Sequence, residues 1–277
     1  MNSHVLLIDC PDEKGLLHKI SGVLYKNDLN VISNGEFVEK NFSHFFMRTE
    51  FSGAFDRDQL LDELYTALPK GVNIRLMERK KKDIIIMATK EHHCLSDILI
   101  RHAFAELNAN ILCVISNYTF LQDMTERFRI PFYHVDAENK TREEHEEEVL
   151  AIIKRYNPEF LILAKYMRIL TPNFVAQFPN KIINIHHSFL PAFVVANPYN
   201  QAYQRGVKII GATAHFVNDN LDEGPIIAQN VITVDHTQNA KEMAQEGRDV
   251  EKIVLAKSLR LVLNDHVFVF KNKTFIF

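Results

Sequence analysis

Asp83-Ile84-Ile85-Ile86-Met87-Ala88-Thr89 is where the hydrophobic pattern of this 277-residue chain changes. From here on, short apolar runs alternate with longer amphipathic ones, which predicts parallel strands joined by helices. Candidate strands are 84–89, 110–116, 160–165 and 181–185. Thr141 and Glu144 are spaced as a capping box for a helix running to about Tyr156, with acidic residues near its positive end. Asn197, Pro198 and Gly206 frame another helix by cap, proline entry and glycine exit. Residues 208–217 and 225–234, separated by Asn-Asp-Asn-Leu-Asp-Glu-Gly, should pair as a hairpin or as neighbouring strands. A long helix is predicted over 240–263 and a small terminal hairpin over 267–270 and 274–277. Such a sheet normally holds its site beyond the carboxyl ends of its strands.

Upstream of Asp83 the periodicities are different. A strand over 3–9 precedes a helix over 12–27 with Leu16, Leu17, Ile20, Val23 and Leu24 on one face. Strands 30–38 and 44–51 flank a polar turn at Lys40-Asn41, a helix covers 59–68, and a strand over 72–77 closes a βαββαβ order. That order describes a ferredoxin-like sandwich, a fold too common to specify function. The chain is therefore expected to be α/β with two domains. Residues 1–79 form the ferredoxin-like unit, 80–83 a linker, and 84–277 a Rossmann-like, mostly parallel sheet. The basic run Arg79-Lys80-Lys81-Lys82 reads as that solvated linker, since four charges without interleaved aromatics make a poor nucleic-acid patch.

Composition bounds the functional classes. Apolar residues make up 47% and charged residues 24%, and the formal charge is -3. Packed globular structure follows, without the basic field that binds nucleic acid or an anionic membrane. The N-terminus lacks a secretion signal and no stretch approaches membrane-spanning length, so the expected compartment is the cytoplasm. Cys10, Cys94 and Cys113, odd in number and not closely paired, read as buried reduced thiols. Without CxxC, GxGxxG or a Walker sequence, neither a metal nor a cofactor is expected.

Strand periodicity sends Asn184 and His186 of Asn184-Ile185-His186-His187-Ser188-Phe189-Leu190-Pro191 to one face and turns His187 away. The loop between the last two long strands supplies Asp222 beside Gly224. A carboxamide, an imidazole and a carboxylate suit attack of water on an amide-like carbonyl: one group donates to the oxyanion, one carries protons, one orients. By spacing alone, a packed or surface role for His186 stays open. Ser188 lacks the glycine frame of a nucleophile elbow, and adjacent histidines diverging in an extended segment make poor joint metal ligands.

These segments, with Leu221-Asp222-Glu223-Gly224-Pro225-Ile226-Ile227, resemble the signature of the folate-dependent formyltransferase superfamily. Met167-Arg168-Ile169-Leu170 resembles the segment lining its folate pocket. Cys10-Pro11-Asp12-Glu13-Lys14-Gly15-Leu16-Leu17, followed by Asn30-Val31, looks like an ACT domain, the amino-acid-sensing module. Together the resemblance spans nearly the whole chain and points to the branch that hydrolyses 10-formyltetrahydrofolate to formate and tetrahydrofolate, feeding formate to purine synthesis. It implies that Asn184 polarises the formyl oxygen, His186 assists proton transfer, and Asp222 orients water or His186. It also implies folate contacts at Met167, Arg168, Leu170 and Asn218, no cofactor beyond the folate substrate, a homo-oligomer, and glycine and methionine as effectors near Asp12 and Gly15. For Met167 and Leu170 plain core packing stays open, and for Asp12 and Gly15 helix capping and tight packing.

The acceptor needs a separate argument. Relatives that formylate glycinamide ribonucleotide carry a glycine-rich turn after their first strand, where backbone N–H groups hold a phosphate. Here the turn reads Thr89-Lys90-Glu91-His92-His93-Cys94, with an acid and no glycine, which favours water; His92 and His93 read as surface residues at a helix entry. Val194-Val195, Asn200 and Tyr118 depart from the pattern, where glycine near the valines and histidine at the other two are expected. Transfer to an amine, and an amino-acid-binding regulator with impaired catalysis, are the alternatives.

Overall fold

The computed structural model describes residues 3–191 and 198–277. The first unit runs β1 (Ser3–Pro11), α1 (Leu16–Lys26), β2 (Asn30–Glu39), β3 (His44–Ser52), α2 (Arg57–Ala67) and β4 (Asn73–Glu78). Its sheet has the order β2-β3-β1-β4, the predicted βαββαβ sandwich. Alternate residues of β3 face the helices: Phe45, Met47 and Phe51 join Leu16, Ile20, Leu24, Leu60 and Leu64 in one core. Each large side chain buried there contributes on the order of 1.5–3 kcal/mol relative to exposure. Helix α1 starts later than predicted because Gly15, at φ 91°, takes a left-handed turn as its N-cap; no side chain caps the helix, so Asp12 does not. Leu17, expected on the core face, is 45% exposed, because the stripe that faces the sheet is Leu16, Ile20 and Leu24.

The second unit runs β5 (Lys82–Ala88), α3 (His93–Ala103), β6 (Ala109–Ser116), α4 (Gln122–Arg127), β7 (Phe132–His134), α5 (Arg142–Tyr156), β8 (Phe160–Leu163), α6 (Pro172–Val175), β9 (Ile182–His186), α7 (Pro198–Arg205), β10 (Ile209–Phe216), β11 (Ile226–Thr233) and α8 (Ala240–Leu263), then β12 (Val267–Phe270) and β13 (Lys273–Ile276). The seven-stranded sheet has the order β11-β10-β9-β8-β5-β6-β7. Pairings from β7 to β9 are parallel, and β10 and β11 add an antiparallel edge. Strand order reverses at β5, between β6 and β8, which is where such sheets open a crevice at their carboxyl ends. Residues on both faces of β5 are fully buried, as expected of a strand covered by helices on both sides. The capping box of α5 is formed: Thr141 accepts from Glu144 N at 3.2 Å and Glu144 accepts from Thr141 N at 2.8 Å. Asn197, the predicted cap of α7, lies outside the described residues. No described helix is long and apolar enough to cross a membrane.

Two boundaries differ from expectation. The solvated linker is shorter than 80–83, because Lys82 and Asp83 already belong to β5; Lys82 is buried, its backbone N–H bonded to Asn108 O, and its ammonium lies 3.8 Å from Glu159. The second unit is not simply 84–277, since Asn264–Phe268 and Ile276–Phe277 cluster with the first unit. The reason is the second face of the first sheet. Phe46 points away from the two helices and is fully buried because Phe268 meets it edge-on at 5.4 Å. Arg48, on the same face, donates to the carbonyls of Asp265 and Asn264.

Candidate active site

Strand β9 alternates as predicted. Ile183 and Ile185 are buried, while Asn184 and His186 reach the other side half-buried. Antiparallel pairing sets His215 of β10 directly opposite Asn184 and Thr213 opposite His186, and residues opposite one another share a face. His215 therefore enters the site, a residue the sequence reading missed. Its Nδ1 lies 2.9 Å from the carbonyl of Phe216, which can only accept. The proton thus sits on Nδ1, and Nε2 accepts from the Asn184 amide at 3.3 Å. Thr213 fixes the strand exit, donating to Ser188 O and accepting from Leu190 N.

Asp222 comes from the loop joining β10 to β11. Its φ of 56° is left-handed, a conformation aspartate and asparagine tolerate better than other side chains. Gly224 lets the loop close: a Cβ there would lie 1.7 Å from the carbonyl oxygen of Phe216. The closure brings the carboxylate 3.3 Å from His186 Nδ1 and 3.6 Å from His215 Nε2. At the first distance His186 donates its Nδ1 proton, leaving the Nε2 lone pair buried and without a hydrogen-bond partner among the described residues. Burial would raise the Asp222 carboxyl, but hydrogen bonding and charge from His186 hold it well below the usual carboxylate range. It is anionic at neutral pH.

Asn184, His186 and Asp222 line one cavity of about 350 Å³, together with Met167, Arg168, Leu170 and Asn218, a size within the range of ligand pockets. Leu170 also packs on the core beneath, whereas Met167 is 60% exposed. The end of this loop is anchored by Thr171, whose backbone N–H and hydroxyl both donate to the buried Glu146 of α5. Asp12 and Gly15 belong to the first unit. Both are exposed, and the Asp12 N–H bonds Ser43 O at 2.7 Å.

His187 is not turned away from His186. The two rings stack at 5.0 Å and 18°, because β9 ends at His186 and strand alternation no longer applies to the next residue. His187 accepts at Nδ1 from Lys165, 3.2 Å away. Burial, then the Lys165 and His186 charges, push it down to about 4, so it is neutral at pH 7. Lys165 is in turn 3.3 Å from Glu251, which also binds His93 at 2.7 Å and the Tyr199 hydroxyl at 2.9 Å. His93 is thus buried rather than a surface residue. Against the penalty of burial, His93, Lys165 and Tyr199 hold Glu251 down to about 2. One local signal for this cluster exists: Glu251 interrupts the buried stripe Val250, Val254 and Leu255 of α8.

His93, Cys94 and Glu251 come close enough to hold a metal ion. The Glu251 carboxylate is already engaged by a lysine ammonium, however, and burial pushes the Cys94 thiol well up, away from the thiolate a metal needs. Of the departures from pattern, Tyr118 is 43% exposed with the Lys90 ammonium 4.1 Å from its ring centroid, and Asn200 is exposed on α7. Val194 and Val195 lie outside the described residues.

Comparison with known proteins gives two family matches, Formyl transferase over residues 82–259 and ACT domain over 4–66. The chain is 54% identical to the formyltetrahydrofolate deformylase of Haemophilus influenzae, covering 98% of both chains. Among solved structures, the formyltetrahydrofolate deformylase of Pseudomonas syringae superposes with a TM-score of 0.96 at 40% identity, covering 100% of this chain and 95% of that one. Glycinamide ribonucleotide transformylase 1 of Symbiobacterium toebii superposes at 0.68 and 25%, covering 75% and 99%.

Proposed function

The chain belongs to the formyltetrahydrofolate deformylase family, and from that premise we propose how its own residues hydrolyse 10-formyltetrahydrofolate to formate and tetrahydrofolate. The observation that carries the proposal is the clamped imidazole: His186 bonds Asp222 through one nitrogen and presents the other, buried and unbonded among the described residues, beside Asn184. Asn184 has two amide hydrogens. One is engaged by His215, and the other serves the formyl oxygen as it becomes an oxyanion. Water attacks the formyl carbon while His186 Nε2 takes its proton; Asp222 stabilises the imidazolium, which then protonates N10 as the C–N bond breaks. The folate substrate and water are the only reactants. Met167, Arg168, Leu170 and Asn218 hold the pterin end.

Purified enzyme should release formate from 10-formyltetrahydrofolate with no amine added, in step with tetrahydrofolate. Turnover appearing only on addition of glycinamide ribonucleotide would establish a transferase instead.

Regulation belongs to the same reading. The ACT match and the left-handed Gly15 turn support glycine and methionine as effectors at Asp12 and Gly15 of a homo-oligomer. Calorimetric titration should detect binding of at least one of them, with Gly15→Val abolishing it; no heat and unchanged kinetics with both amino acids would remove this part. Three buried, unpaired thiols fit residence in the reducing cytoplasm.

A further inference from the structure

We infer that Lys165 and His187, braced from behind by Glu251 and Tyr199, form a partition that reserves the formyl carbon for water and denies it to amines. The inference rests on the hydrolase reading above. A second cavity, of about 610 Å³, lies beside the first. Asn184, His186 and Asp222 line only the first, whereas Lys165, Met167 and His187 line both. Those three side chains are therefore the wall between the space that holds the catalytic groups and a space large enough for a small amine.

The wall is built to stay in place. Lys165 is 4% exposed, its backbone is left-handed at φ 62°, and its carbonyl accepts from Thr89 at 2.8 Å. Its ammonium bridges His187 and Glu251, and Glu251 is tied to His93 and Tyr199 as well. The Tyr199 ring lies against α8 at Gly247, where a Cβ would come 2.0 Å from the hydroxyl oxygen. Breaking such a network leaves a buried charge unpaired, so thermal opening of the wall is costly. Among the residues of the partition, only the flexible Met167 lacks a bond to this network among the described residues. The Symbiobacterium neighbour, a transformylase of glycinamide ribonucleotide, shares the fold; access to the carbon, rather than the fold, then separates the two outcomes.

With the wall opened, an amine such as glycinamide in the second cavity would attack the formyl carbon. A new C–N bond forms, the bond to N10 breaks, and the proton lost by the amine passes through His186 to N10. The products are N-formylglycinamide and tetrahydrofolate.

The test uses the full-length enzyme with 10-formyltetrahydrofolate and excess glycinamide, reading N-formylglycinamide and formate together by mass spectrometry. The wild type should give formate only. His187→Ala should raise the ratio of formylamide to formate about 10-fold or more above the detection background. Tyr199→Ala, which unpins the wall from its outer side, should do so to a smaller extent, and His187→Phe, which keeps the bulk, should remain hydrolytic. Because a ratio is read, a slower enzyme does not obscure the result. An unchanged ratio in both alanine variants overturns the inference. So does loss of both products from variants that melt like the wild type, since these residues would then serve the chemistry itself. A wild type that releases no formate without an amine would instead overturn the hydrolase reading.

Discussion

Asp222→Asn lowers the rate of formate release by about 10³-fold or more, with folate affinity within a few-fold of wild type. The substitution is close to a pure loss of charge. Asparagine fits the left-handed backbone that residue 222 adopts, and its volume matches. The half-buried His186 then lacks the anion 3.3 Å away that stabilises its protonated form. An asparagine side chain can also donate to Nδ1, which would place the imidazole proton on Nε2 and remove the base. His186→Ala should be at least as damaging. Single-turnover formate release, with melting temperature as a control, measures both. Rates near wild type for either variant would show that the carboxylate–imidazole pair does not carry the proton.

Gly224→Ala should cost about 10² in formate release even though the new methyl touches no substrate. Its Cβ would fall 1.7 Å from Phe216 O and 2.9 Å from the same carbonyl carbon. That carbonyl cannot easily yield, because Phe216 is tied back through its own N–H to Pro225 O at 2.9 Å. The loop carrying Asp222 must move instead, and with it the contact to His186. Overpacking of this kind also lowers stability by about 1–3 kcal/mol. A double-mutant cycle separates the two consequences: if the glycine acts through Asp222, Gly224→Ala adds little to the loss already caused by Asp222→Asn. Full additivity of the two rate losses would place the effect of Gly224 elsewhere.

Much of this architecture is written locally in the chain. The helix over 240–263 matches α8 residue for residue, and the capping box at Thr141 and Glu144 forms as spaced. Asn184 and His186 share a face because side chains of a strand alternate, and that rule needs no knowledge of neighbouring strands. By spacing alone Asp222 was legible only as an acid near a glycine in a loop; its place in the site came from the resemblance of that loop to the formyltransferase signature.

What lay beyond local periodicity required partners distant in the chain. His215 became part of the site through the register of β10 on β9, and register depends on packing between elements. His187 stacks on His186 because the strand stops there, and its partners Lys165 and Glu251 arrive from the end of β8 and the middle of α8. The tail at 264–268 and 276–277 joined the first unit because Phe46 and Arg48 needed cover on the face away from the helices. Alternation and helical period tell each residue which side of its own element it occupies. Which element stands opposite is decided by burial across the whole fold, and it is there that an isolated lysine and an isolated glutamate became one buried pair.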